Sequence, residues 1–164
     1  MLIRIFFVLA YVLYSWQKSL AVATLLSQQL LAQGFGGSYN LWLALLASAI
    51  LGVVLMFLVP FVSNVFLSYS HFYTVQRAEY GLLAHLFITI YFLICGLLRL
   101  INLLTPILLV WGEILFPVLV SLGCVIWFYH VTANLYFNNQ TKPHYFRSLA
   151  ITYVVLIVVA EVLL

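Results

Sequence analysis

The composition of this 164-residue chain excludes a water-soluble domain. Hydrophobic residues make up 67% of the sequence and charged residues only 5%, whereas a soluble domain carries roughly 25% charged residues. The net charge of +3 comes from single residues scattered along the chain, so no basic run could follow a nucleic-acid backbone. The composition therefore predicts an integral membrane protein that contacts the lipid bilayer and binds no nucleic acid.

Hydrophobic runs predict an all-α bundle of about five transmembrane helices, forming a single domain over residues 1–164. A spanning helix needs about 20 mostly apolar residues. Four runs meet this requirement: residues 39–59, 80–104, 105–131 and 145–164. The connections are short, and no polar stretch is long enough for a soluble domain. Thr105 followed by Pro106 is typical of a helix start, so we expect the third and fourth spans to form a tight hairpin.

The amino-terminal segment permits two interpretations. Its apolar run at residues 5–16 is too short to span a bilayer comfortably, and Gln17 and Lys18 separate it from a more polar stretch at residues 19–33. One long tilted helix could run through residues 2–33 with Lys18 inside it, or a short span could be followed by an interfacial helix. In the second case Lys18 would snorkel to the membrane surface, which we favour.

Basic residues predict the orientation of the bundle. Arg4, Arg77, Lys142 and Arg147 all fall on one side if the amino terminus is cytoplasmic, or on the matrix or stromal side of an organelle membrane. Five spans then place the carboxyl terminus on the opposite side. The beginning of the chain also has the basic residue and apolar core of a signal peptide, but we expect this segment to be retained as a helix.

One face of the third span is polar. His85, Thr89, Phe92, Gly96 and Arg99 lie near one line when the span is projected at about 100° per residue. A charged side chain facing lipid is costly, so this face should point to the bundle interior or to a partner. Three interpretations stay open. The face holds a structurally paired arginine, lines a path or binding site, or contacts another subunit.

Carboxylates are scarce, so the candidate partners of Arg99 are few. Glu113 lies at a similar depth on the neighbouring span, and we expect it to pair with Arg99 first and Glu161 second. Pro117 follows Glu113 by four residues and removes the amide donor of its carbonyl. The Glu113 carboxylate therefore lies either beside an ordinary proline kink or at a site that binds a cation or proton during transport. Glu161 lies close to the outer surface, where it can reach water.

The histidines do not show the spacing of a metal site. His85 and His130 differ in depth by about 9 Å along their helices at 1.5 Å per residue, which disfavours a haem held between them. His71 and His144 fall in connections and could form only a weak site with His130. Aspartate is absent, which removes the usual ligands for hard cations and paired-carboxylate catalysis. We predict no metal site and leave any cofactor open.

Small residues recur along the second span. Ala44, Ser48 and Gly52 place a small side chain at every fourth position, which lets another helix approach closely. This ridge packs either within the bundle or against another subunit, and we expect a partner to dock there.

These observations favour a non-catalytic small integral membrane subunit or scaffold of a larger complex, associated with other membrane subunits or with itself. The alternative is a small transporter or channel whose intramembrane polar path is lined by His85, Arg99 and Glu113. A haem- or lipid-binding membrane enzyme subunit using His85 or His130 is a weaker alternative, because no catalytic constellation is complete.

Overall fold

The structure is a computed structural model that describes residues 2–32, 40–73, 75–104 and 111–163. Within these ranges, side chains are described except at positions 22, 26, 30, 40, 103, 104, 111–114 and 154–163. The described part of the chain forms five helices: α1 (Leu2–Ala32), α2 (Asn40–Tyr69), α3 (Arg77–Leu104), α4 (Trp111–Tyr136) and α5 (Lys142–Leu163). The expected helix start at Thr105 and Pro106 lies outside the described residues.

The all-helical prediction is confirmed. No strand occurs in the described ranges, and α1 to α4 each contain a stretch long and apolar enough to cross a bilayer. The fifth helix has 22 residues. The architecture is thus consistent with a multi-pass membrane protein.

The first helix is continuous over 31 residues, so the interpretation as one long helix is the correct one. Gln17 and Lys18 are good helix formers, and neither glycine nor proline interrupts the segment before Gly34. A helix of this length measures about 46 Å and is longer than the roughly 30 Å hydrocarbon core of a bilayer, so crossing a bilayer would require α1 to tilt or to extend beyond the core. Lys18 lies on the exposed surface of the described bundle, and its snorkelling to the membrane surface stays a prediction.

The first three helices form a closely packed unit. α1 packs against both α2 and α3, α4 packs against α3, and α5 packs against α4. Interlocking apolar side chains from α1, α2 and α3 form a cluster around Phe7, Tyr11, Val59 and Phe92. α1 can lie close to α3 because Gly96 has no side chain at the crossing: a Cβ there would be 2.9 Å from Leu13 Cγ.

A second cluster, here called the end cluster, joins four helices where α2 and α4 end and α3 and α5 begin. It contains Phe66, Leu67, Val75, Tyr80, Ala133, Tyr145 and Leu149. Tyr145 is fully buried, and its hydroxyl lies 3.1 Å from the Tyr80 hydroxyl and 2.6 Å from Thr132 Oγ1. Buried hydroxyls need partners, and these three satisfy one another across α3, α4 and α5.

Candidate functional site: the polar face of α3

The polar face of α3 lies against α1. The Phe92 ring at the middle of this face packs edge-on to Phe7 and Tyr11, with centroid distances of 5.7 and 5.1 Å. Its centroid is also 5.1 Å from that of Tyr14. Apolar rings of α1 therefore fill the space beside the middle of this face.

The ring of His85 lies between two main-chain carbonyls, and a neutral imidazole can donate to one of them. Its side chain is 6% exposed, with Nε2 2.8 Å from Met56 O and Nδ1 3.0 Å from Gly81 O. Pro60 follows Met56 by four residues and has no N–H, so the Met56 carbonyl lacks its helical donor. In the tautomer that carries its proton on Nε2, His85 supplies the missing donor from the neighbouring helix, which explains why a histidine is tolerated in this interior.

Arg99 is bonded to α1. Its Nη1 donates a hydrogen bond to Tyr14 O at 2.6 Å, and its guanidinium carbon lies 4.3 Å from the centroid of the Tyr14 ring. The ring face attracts the cation, and the carbonyl accepts one of its N–H groups. Sequence reasoning looked for an acidic partner and missed Tyr14. The side chains of Glu113 and Glu161 lie outside the described residues, so their pairing with Arg99 stays a prediction.

The two ends of the polar face are far apart. His85 and Arg99 are separated by 14 residues of α3, which corresponds to about 21 Å. Between them, Thr89 Oγ1 donates back to His85 O at 2.6 Å, and Phe92 is enclosed by aromatic rings of α1. In the described residues this face is therefore a series of local bonds interrupted by packed rings.

The other histidines are dispersed at the surface. His71, His130 and His144 are exposed, and His71 Nδ1 lies 3.1 Å from the Tyr73 hydroxyl. Among the described residues, no group of three or more His, Cys, Asp or Glu side chains could hold a metal ion. Both nitrogens of His85 already face carbonyls, so a metal or haem could bind it only by breaking those contacts.

The small-residue ridge of α2 packs within the chain. Ala44, Ser48 and Gly52 are all buried, and Ser48 Oγ donates a hydrogen bond to Ser19 Oγ of α1 at 2.7 Å. A Cβ at Gly52 would lie 3.2 Å from Tyr11 Cδ1. α1 thus occupies the position that the sequence analysis assigned to a partner helix.

A cavity at the basic end of the bundle was not apparent from the sequence. It has a volume of about 430 Å³ and is lined by residues of α1, α2 and α3, including Arg4, Asn64, Arg77 and His85. The one available signal was the placement of both arginines on the same side of the membrane. That signal could not show that residues 73 positions apart border one cavity.

Comparisons with protein-family models, with curated proteins and with solved structures find no match to this chain.

Proposed function

We propose that the chain is a small non-catalytic subunit or scaffold of a larger membrane protein complex. The bonding of its interior polar groups supports this proposal. His85 and Arg99 both bond to main-chain carbonyls, and Tyr80, Thr132 and Tyr145 bond to one another, so these groups hold helices together. A transport path along the polar face has less support, because packed aromatic rings separate His85 from Arg99.

The observation that carries this proposal is an uncovered apolar stripe on α4 with a glycine near its centre. The stripe consists of exposed side chains at helical spacing: Leu115, Val118, Leu119, Leu122, Ile126 and Trp127. Gly123 lies among them, and a Cβ built there would have no atom within 4 Å. No described residue outside α4 therefore covers the stripe at Gly123.

A glycine in this position needs a physical reason. Glycine destabilises a helix by about 1 kcal/mol relative to alanine. No contact in the described chain requires a residue without a side chain at this position. Helices in lipid gain little from the hydrophobic effect and associate mainly through close backbone packing. A partner helix that crosses α4 at Gly123 could approach the α4 backbone closely, and this contact would offset the lower helix propensity of glycine.

The experiment compares Gly123→Leu with the matched control Ala47→Leu, which enlarges a small exposed residue on α2. Both variants and the wild type are purified in mild detergent, and the stoichiometry of co-eluting membrane proteins is measured. We expect the wild type and the control to retain one partner at fixed stoichiometry and Gly123→Leu to lose it while remaining folded. A wild-type protein that elutes alone, or a Gly123→Leu variant that keeps its partner, would contradict the proposal.

For the orientation, we propose that the amino terminus is cytoplasmic, or on the matrix or stromal side of an organelle membrane. Arg4 and Arg77 border one cavity, and Lys142 Nζ bonds Asn134 Oδ1 near the end cluster. These basic residues therefore collect at one end of the bundle. The positive-inside rule assigns such an end to the cytoplasmic side.

A further inference from the structure

The cavity at the basic end of the bundle has the size and position of a head-group site. It opens between the start of α1, the region of α2 around Pro60 and the start of α3, and its volume is about 430 Å³. Small-molecule sites commonly measure about 300–1,000 Å³. Because the cavity lies where α1 and α3 begin, it lies near the end of the membrane-crossing segments, where lipid head groups are found.

Two unpaired guanidinium groups border this cavity. In the described part of the chain, neither Arg4 nor Arg77 forms a hydrogen bond or ion pair, and both side chains are exposed. Glu79 is close in sequence, but its Oε2 accepts a hydrogen bond from the Tyr136 hydroxyl of α4, and Glu79 does not line the cavity. The cavity therefore carries positive charge that no described carboxylate neutralises.

The third polar group of the cavity is an acceptor that lacks a donor. Asn64 Oδ1 is buried and has no hydrogen-bond partner, which is costly for a polar atom away from water. His85 cannot serve it, because both His85 nitrogens are already within bonding distance of carbonyl oxygens. A ligand that fits all of these groups presents an anion to Arg4 and Arg77 and a hydroxyl donor to Asn64.

We propose that this cavity binds the phosphate of an anionic phospholipid whose head group carries hydroxyl groups, such as phosphatidylglycerol. Guanidinium forks bind phosphate oxygens through charge-assisted hydrogen bonds, and the free amides at the start of α3 favour an anion at the same place. For a head-group hydroxyl to donate to Asn64 Oδ1, the buried amide must turn toward the cavity that Asn64 lines. The apolar walls formed by Ile3, Pro60 and Leu82 suit the glycerol backbone of a lipid better than a fully hydrated free ion.

The test titrates the purified full-length protein in neutral detergent with phosphatidylglycerol, phosphatidylcholine or inorganic phosphate, with lipid-bound species counted by native mass spectrometry. The wild type is compared with Arg4→Gln, Arg77→Gln and the double variant. The matched control is Arg147→Gln, which removes an exposed basic residue that does not line the cavity. Thermal unfolding without added lipid checks that each variant remains folded.

We expect the wild type to bind phosphatidylglycerol about tenfold more tightly than phosphatidylcholine, and the double variant to lose this preference. Arg147→Gln should behave as the wild type, and Asn64→Leu should weaken phosphatidylglycerol binding. Equal losses in Arg147→Gln and in the cavity variants would overturn the proposal, since general surface charge would then explain the binding. Inorganic phosphate that stabilises the protein without any preference among lipids would overturn the lipid assignment.

Discussion

At the scale of single residues, His85 and Arg99 of α3 both lie against main-chain carbonyls of neighbouring helices. The chain contains three acidic residues, so most basic side chains have no acidic partner to use. His85 is bonded to the Met56 carbonyl that Pro60 leaves without a donor, and Arg99 is bonded to the Tyr14 carbonyl and ring. Each bond connects two helices, because the donor and the acceptor belong to different elements.

The effects of changing His85 and Pro60 on stability should therefore be coupled. His85→Leu should destabilise the protein by about 1–3 kcal/mol, because the Met56 carbonyl is then buried without a donor. In a Pro60→Ala background the same change should cost less, since the introduced alanine brings an amide donor for that carbonyl. The free energy of unfolding of the two single variants and the double variant in detergent measures the coupling.

This double-mutant cycle contains its own control, because replacing His85 with leucine changes the side-chain volume equally in the wild-type and the Pro60→Ala backgrounds. We expect a coupling energy of about 1 kcal/mol, the typical net contribution of one hydrogen bond. If the two effects simply add, the histidine does not replace the donor that Pro60 lacks.

At the scale of helices, the space around a glycine shows whether another described helix packs there. Gly96 has close neighbours, and Gly123 has none. A Cβ at Gly96 would lie 3.1 Å from both Leu13 C and Tyr14 N, which are backbone atoms of α1 that cannot rotate away. A Cβ at Gly123 would meet nothing within 4 Å. The same substitution should therefore have opposite effects at these two positions.

We predict that Gly96→Ala destabilises the isolated protein by about 1–3 kcal/mol, because α1 and α3 must move apart. Gly123→Ala should stabilise it by about 0.5–1 kcal/mol, since alanine is the better helix former. Unfolding of each variant, purified without partners, measures both values. Similar destabilisation at the two glycines would mean that α4 is covered where the structure leaves it open, or that α1 does not cross α3 at Gly96.

At the scale of the whole molecule, the end cluster places two connections at the same end of the bundle. Phe72 lies in the connection between α2 and α3. The centroid of its ring is 5.6 Å from that of Tyr145 in α5 and 4.8 Å from that of Phe137, just after α4. α2 begins at the other end, because its 30 residues cross the bundle before the chain reaches Phe72.

We therefore predict the pattern of cysteine accessibility. In a variant lacking Cys95 and Cys124, single cysteines at Tyr73 and Gln140 should label from the same side of the membrane, and one at Ser38 should label from the opposite side. Tyr73 and Gln140 are exposed, so substitution there should not disturb the fold. Labelling of all three from one side would contradict a bundle in which α2 crosses the membrane.

The sequence by itself determined the helical fold, the presence of helices long and apolar enough to cross a bilayer, and the grouping of Arg4, Arg77 and Lys142 at one end. These properties follow from local composition: long apolar runs must bury their backbone polar groups as helices in lipid, and charges collect outside the hydrocarbon. The periodic spacing of His85, Thr89, Phe92, Gly96 and Arg99 could likewise be identified as one face from helix geometry alone.

Only the tertiary structure decided what these faces meet. α1 rather than a partner covers the ridge at Ser48, Tyr14 binds Arg99, and Arg4 and Arg77 border one cavity with Asn64. Each of these contacts joins residues that are distant in sequence, and helical periodicity assigns a residue to a face without specifying the facing helix. The identity and register of that helix depend on how all the helices pack together, and no single segment contains that information.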